Sequence, residues 1–276
     1  DPLLLQPRKN VVIGDQSSSG GLGNTVVGVN NVQNSGAYAT VVGAYNTVTG
    51  LESIAVGSSN TINGSYSFAL GQFNVSDSFE TISIGRSNDL ASTVSNGADY
   101  SAVVGFDCSV SAGATHSVVM GSNSSSVAAD GIAIGRNVSA QGPRSITVGA
   151  NATAIGSASI AIGSTTATSG SNSVVVGSYL AGATKSVSIG SGDSTIGNET
   201  LYGAKEPNSV AIGTGVRALH VDSVIIGGPG ASRTYWPGEV NINGMIMLHG
   251  TCVTNGAGLV SVKWDSVGGD LLVFPD

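Results

Sequence analysis

Charge is scarce in this chain: 10% of its 276 residues are Asp, Glu, Lys or Arg, against about 25% in an ordinary globular protein. Without Ala, Glu, Lys, Leu and Arg at helical spacing, a coiled coil and a helical bundle are excluded. The 10 basic residues form no run and face 17 acidic ones, for a net charge of −7. A nucleic-acid partner is excluded on that ground, because neutralising phosphates needs clustered cations. No apolar stretch reaches the roughly 18 residues of a spanning helix, so no membrane insertion is expected. Cysteine is limited to Cys108 and Cys252, which read as two buried thiols or as one long-range staple. The chain starts at Asp1 rather than Met, so its start reads as a cut, and the lack of a leader there carries no information.

Catalytic and ligand-binding patterns are missing as well. Gly-x-Ser-x-Gly does not occur, nor do a phosphate loop, His-Glu-x-x-His or the calcium-binding glycine nonapeptide. His116, His220 and His249 are scattered, and the single His249-x-x-Cys252 pair lacks the further ligands of a zinc site. Carboxylates are too sparse to pair as in a glycosidase. No metal, no cofactor and no enzymatic activity are expected.

What the chain has is glycine, 41 residues of it, with 41% apolar residues. Gly does not recur every third residue, which excludes collagen, and the apolar content argues against a disordered linker. A segment of the form Ser–apolar–x–apolar–Gly recurs instead, as in Ser53-Ile54-Ala55-Val56-Gly57, Ser67-Phe68-Ala69-Leu70-Gly71 and Ser145-Ile146-Thr147-Val148-Gly149. Its glycines stand at 14, 28, 43, 57, 71, 85, 105, 121, 135, 149, 163, 177, 190, 213 and 227, and nine of the fourteen intervals are 14 residues. That regularity predicts a solenoid.

Each place in the unit has a physical reading. Residues one and three before Gly are apolar and share one strand face, so the expectation is that they fill the inside of each coil. The residue between them is small or β-branched (Ala55, Ala69, Ser83, Val119, Thr147, Val175). It is expected to point outward, against a flat partner surface. The Gly is expected to turn a sharp corner, and the Ser four before it to bond backbone at the preceding corner. A second strand follows, as in Asn46-Thr47-Val48-Thr49 and Asn60-Thr61-Ile62-Asn63. Two short strands and two turns per coil make a flattened roll. Fifteen coils at about 4.8 Å give a rod of roughly 65–70 Å. So thin a core buries little, which predicts self-association.

Asn marks the register in two series. It stands three after Gly at Asn31, Asn46, Asn60, Asn74 and Asn88, then two after Gly at Asn123, Asn137 and Asn151. Stacked amides form a ladder; residues tolerant of the left-handed region form a row of turns. Both readings fit the spacing.

The unit Asn208-Ser209-Val210-Ala211-Ile212-Gly213 and its near-copies resemble the head repeats of YadA-like trimeric adhesins. The resemblance covers about residues 10–227 and implies an all-β fold: a left-handed parallel β-roll, homotrimeric, three chains side by side. Leu3-Leu4-Leu5-Gln6-Pro7 with Asn10-Val11-Val12-Ile13-Gly14 is similar to the Leu-Gln-Pro…Asn-Val-Gly-Ile-Gly lead-in of many bacteriophage tail fibres, departing from it at Val12 and at Arg8-Lys9. The run Cys252–Phe274 resembles tip modules of phage fibres and pilus adhesins. The expected organisation is a lead-in from a preceding fibre region at 1–13, the roll at 14–227 and a small antiparallel C-terminal β tip at 228–276. Insertions fall near 88–101 and 191–208. In the tip, Glu239–Leu248, Gly258–Trp264 and Asp270–Phe274 read as strands.

Binding is sought where a repeat breaks. Tyr235, Trp236, His249 and Trp264 in the tip, and Tyr202 in the second insertion, are the receptor-binding candidates, because aromatics stack on sugars and anchor interfaces. The same side chains equally suit a plug over the open end of the roll. The leading expectation is a structural and receptor-binding segment of a phage tail fibre in the virion. Its partners would be a bacterial surface glycan or outer-membrane protein and other tail-fibre or baseplate proteins. The alternative is the head of a trimeric autotransporter adhesin on a bacterial outer surface; no neck, stalk or anchor barrel follows the repeat in this sequence, which weighs toward the fibre. A polysaccharide depolymerase and an ice-binding solenoid rank below both. The first usually has longer coils rich in aromatics and carboxylates, and the second needs a regular Thr array.

Overall fold

The computed structural model describes residues 9–34, 37–90, 98–178, 180–192, 202–226, 260–264 and 271–275. The chain divides into two compact units, Asp1–Ser232 and Arg233–Asp276. The first is a parallel solenoid without a helix among the described residues. Each regular coil contributes one five-residue strand, such as Ile54–Ser58 or Phe68–Gln72, and one two-residue strand, such as Thr61–Ile62. The long strands stack in chain order into a 15-stranded sheet and the short ones into a 14-stranded sheet.

Equivalent positions pair at every level: Ile54↔Phe68, Ala55↔Ala69, Val56↔Leu70 and Gly57↔Gly71. Where the spacing breaks, the ladder does not. Ile82 pairs with Ala102 and Val187 with Val210. In the second unit, Val260–Trp264 pairs antiparallel with Leu271–Pro275. These correspond to two of the three expected strands; Glu239–Leu248 lies outside the described residues.

The alternation along the long strand is as expected, but its phase is inverted. The middle residue faces inward: Ala55, Ala69, Ser83, Val119, Thr147 and Val175 are each 0% exposed. The large residues beside it face outward, with Ile82 45% and Leu70 39% exposed. From the other side of the coil, Val48, Ile62, Val110, Ala140 and Ala154 point in and are fully buried. One inward side chain per strand is all so short a coil can hold. That residue is Ala or Ser in many coils and Val at Val26, Val41, Val103, Val119 and Val175. A one-residue shift in phase exchanges the two faces completely.

The repeat glycine also has a different task from the expected corner. It lies within the long strand at φ of +122 to +154° and stacks on the next glycine. A Cβ added at Gly71 would come within 1.9 Å of the Gly85 carbonyl oxygen. The corners are turned by ordinary residues held in the left-handed region, five before and two after Gly: Tyr66 at φ 58° and Phe73 at 55°, or Glu52 at 50° and Ser59 at 55°. That conformation costs about 1 kcal/mol or more per residue. Each is held by its N–H donating to the coil before it, as Tyr66 to the Leu51 carbonyl at 2.8 Å and Ser59 to the Ala44 carbonyl at 2.9 Å.

Polar ladders complete the interior. Ser53 Oγ donates to the Leu51 and Gly64 carbonyls at 2.9 and 3.1 Å and accepts the Ser67 N–H at 3.1 Å. The expected corner bond of the repeat serine is therefore present, and it also links successive coils. The two Asn series separate into the two readings. Asn46, Asn60 and Asn74 are buried, and each amide donates to the Oδ1 of the Asn one coil earlier, at 2.9–3.0 Å. Asn123, Asn137 and Asn151 stand at left-handed corners with φ of 52, 55 and 52°.

Candidate functional site

The inverted phase creates the main surface feature. From Ile54 on, residues three and one before each Gly form two apolar stripes up the outer face of the long-strand sheet, with Thr25 and Thr40 at the first of these places in two earlier coils. They run Ile54/Val56, Phe68/Leu70, Ile82/Ile84, then Val118/Met120, Ile132/Ile134 and Ile160/Ile162, to Val210/Ile212. No charged side chain interrupts them. Met120 is 42% and Ile162 38% exposed. The outer face of the short-strand sheet is mostly polar by contrast, carrying Thr47, Thr61, Asp89, Ser109, Ser125, Ser139 and Thr153 with Val32, Val75 and Ala167 among them. The roll is amphipathic across its thickness, and a contiguous apolar surface of this length marks an interaction face.

Two rows of corner side chains flank that face. At five before Gly stand Tyr38, Glu52, Tyr66, Glu80, Tyr100 and His116; at two after Gly stand Tyr45, Ser59, Phe73, Ser87, Asp107 and Asn123. The first row is ordered by ring contacts. Tyr66 meets Phe79 edge-on at 5.2 Å, Phe79 meets Tyr100 at 6.1 Å, and Tyr100 stacks on His116 at 5.0 Å. Beside the second row, at the ends of their long strands, the Arg86 guanidinium lies 5.1 Å from the Phe106 ring centre. Sequence reasoning passed over these aromatics because it looked for sites only at breaks in the repeat. Their fixed offsets from Gly were the available signal.

Of the residues singled out from sequence, Tyr202 is buried, with the Arg217 guanidinium 5.1 Å from its ring centre. Trp264 lies in the strand Val260–Trp264, its backbone paired with Leu271. Tyr235, Trp236 and His249 lie outside the described residues. Cys108 is a free, buried thiol whose pKa is pushed up by burial; Cys252 is outside the described residues.

Two like-charge neighbours mark the polar side. Partial burial, and secondarily the Asp77 carboxylate, push the Asp89 carboxyl above its usual range. Burial, and secondarily Arg217, push the Lys205 ammonium below its own. No cluster of His, Cys, Asp and Glu able to hold a metal occurs among the described residues. Nor is any helix there long and apolar enough to cross a membrane.

Comparison with known sequences bears on the roll. The YadA head domain repeat matches this chain at residues 35–60, 49–74, 139–159 and 154–179. The matched segments fall on both sides of the irregular coils. No curated protein matches the chain.

Proposed function

We propose, on the premise that YadA head domain repeats build both parts of the roll, that this chain is one third of a homotrimeric, adhesin-like attachment rod. The observation that carries the reading is the uninterrupted pair of apolar stripes. A lone roll leaves them in water although each large aliphatic side chain gains about 1.5–3 kcal/mol on full burial. Three copies facing a common axis would bury all of them and leave the polar short-strand sheets outside. The rod is then a spacer with repeated, chemically quiet walls, and attachment falls to the places where the repeat gives way.

In its finer form the reading is a phage tail-fibre segment in the virion. It would bind a bacterial surface glycan or outer-membrane protein, contact neighbouring fibre or baseplate proteins through its ends, and catalyse nothing. The lead-in resemblance at Leu3–Gly14 supports it, and the 228–276 segment would be its small β tip. The family match itself favours a second reading, the head of a bacterial trimeric autotransporter adhesin. Incubating the labelled full chain with intact bacteria and with immobilised host matrix proteins separates the two. Saturable binding to bacteria supports the fibre, and binding to matrix alone supports the adhesin. Release of new reducing ends from capsule or lipopolysaccharide would contradict the non-enzymatic reading.

A further inference from the structure

We infer that the two corners of each coil are the two halves of one interface. The corner five before Gly on one chain would dock in register on the corner two after Gly of a second copy. This inference rests on the trimeric reading above and assigns it specific residues.

A closed three-fold assembly of parallel rods has rotation but no rise along its axis, so each coil meets the same coil of its neighbour. Its contacts are heterologous: one edge of a chain meets the other edge of the next. The two ends of a single long strand must then be chemically matched, level by level.

That matching is present over four successive coils, from Gly43 to Gly85. Around Gly43 the corners are Tyr38 and Tyr45; around Gly71 they are Tyr66 and Phe73. Around Gly105 the corners are Tyr100 and Asp107, so the match ends at that coil, where Phe106 is the strand residue beside Asp107. Between these levels both ends turn polar together: Glu52 with Ser59 around Gly57, and Glu80 with Ser87 around Gly85. Beyond Gly121 both ends are polar at Asp130 with Asn137 and at Arg144 with Asn151, while around Gly163 they are Ala158 with Thr165 and around Gly177 the sequence has Asn172 and Tyr179 at the two offsets. Within one chain nothing requires this agreement, because the two side chains are separated by the whole strand. The aromatic corners are half-exposed, with Tyr66 at 48% and Phe73 at 57%, and they border the apolar stripes directly. An aromatic pair across an interface adds about 0.5–1.5 kcal/mol beyond its buried area. The alternating Glu/Ser levels would disfavour a slip of one coil, since an aromatic would then face a carboxylate or hydroxyl. The contacts from Tyr66 through Phe79 and Tyr100 to His116 hold one edge rigid.

Disulfide trapping tests this in the full chain carrying Cys108→Ala and Cys252→Ala. The double variant Tyr66→Cys/Phe73→Cys should give, on oxidation, mainly a covalent trimer on a denaturing gel. An intrachain bond is out of reach. The five-residue strand Phe68–Gln72 holds the two positions more than about 15 Å apart at roughly 3.3 Å per residue, and a disulfide needs Cα atoms within about 7 Å. Neither single variant should cross-link, and the offset pairs Tyr66→Cys/Ser59→Cys and Tyr66→Cys/Ser87→Cys should give at most traces. Repeating the experiment at the exposed level Glu52→Cys/Ser59→Cys keeps the test valid if the aromatic substitutions impair folding. A trimeric mass in solution without in-register cross-links, efficient cross-linking by an offset pair, or dimers from a single variant would overturn the corner pairing. A monomeric mass would overturn the trimeric reading beneath it.

Discussion

The coils before Gly121 and those after it share a backbone and differ in nearly everything attached to it. In the first region the position three after Gly is a buried Asn ladder from Asn31 to Asn88, with Ser17 before it and Cys108 after it, the corners from Tyr38 to Tyr100 include four Tyr and one Phe, and Asp15, Glu52, Asp77, Glu80, Asp89, Asp99 and Asp107 stand against Lys9 and Arg86. In the second region the ladder position holds Ser124, Val138, Ala152, Thr166 and Leu180, and the described non-Gly corners are polar apart from Ala158. There Arg136, Arg144, Lys185, Lys205 and Arg217 match the acids in number. The long strands nevertheless pair one-to-one throughout, from Val11 to Ile226. The glycine stack and the left-handed corners therefore define the roll. The amide ladder is one of several ways to fill it, and surface chemistry varies freely on top.

The comparison predicts first that breaking the shared frame is equally severe on both sides. Gly71→Ala and Gly149→Ala would each place a Cβ 1.8–1.9 Å from the next glycine's carbonyl oxygen, at φ of +126 and +134°. Each should cost more than about 4 kcal/mol in urea unfolding, the range of severe core defects. Tolerance of either would mean that the frame is not common to the two regions.

Breaking the ladder should separate them. Asn60 accepts the Asn74 N–H and amide at 3.1 and 2.9 Å and donates to the Asn46 Oδ1 and Gly71 carbonyl, both at 2.9 Å. Asn60→Ala strands several buried groups, for about 2–4 kcal/mol. At the matching place Ser124 donates to the Gly135 carbonyl at 3.0 Å and accepts a longer bond from the Val138 N–H. Ser124→Ala should cost about 1 kcal/mol. Equal losses in parallel denaturant titrations would erase the distinction.

A smaller effect of opposite sign is expected at Ser83, whose Oγ is buried without a partner. Alanine already fills the same place at Ala55 and Ala69, so Ser83→Ala should raise stability by about 1 kcal/mol. A loss on calorimetry would show that the hydroxyl has a role.

The smallest effects concern charge and differ in sign with pH. The folded chain raises the Asp89 pKa, so folding favours its protonated form and charging it costs stability as pH rises through the folded pKa. Asp89→Asn should stabilise at neutral pH, with the gain vanishing below the ordinary value of 3.8. The Lys205 pKa is lowered, so its cost appears as pH falls through the folded pKa; Lys205→Met should stabilise at neutral pH and lose its gain above 10.5. Thermal unfolding across pH reads both, and a pH-independent gain in either variant contradicts the assignment.

How far the sequence disclosed this molecule depends on which physical signal each feature leaves. The interval between glycines specified the coil, the two strands and the serine bonds, because each position recurs with the same neighbours. The inside and the outside were read in reverse. Hydrophobicity ranks Ile84 above Ser83 for burial, but the narrow coil selects on volume, and only the size contrast between the middle residue and its flanks carried that information. Glycine was given the corner because left-handed backbone favours it; here the corner's hydrogen bond to the previous coil holds Tyr66 or Glu52 instead, and glycine is needed where backbones touch. The corner aromatics went unnoticed because their meaning lies in pairs at opposite ends of a strand, a relation visible once both ends are placed.

The central claim is that the apolar long-strand face is covered by two further copies of the same chain. Sedimentation equilibrium of the full chain tests it directly, with Leu70→Asp/Ile162→Asp alongside as the variant that puts charge on the face. The account predicts three times the 27.2 kDa chain mass for the native sequence and a lower mass for the variant. A native chain that sediments at 27.2 kDa would contradict it.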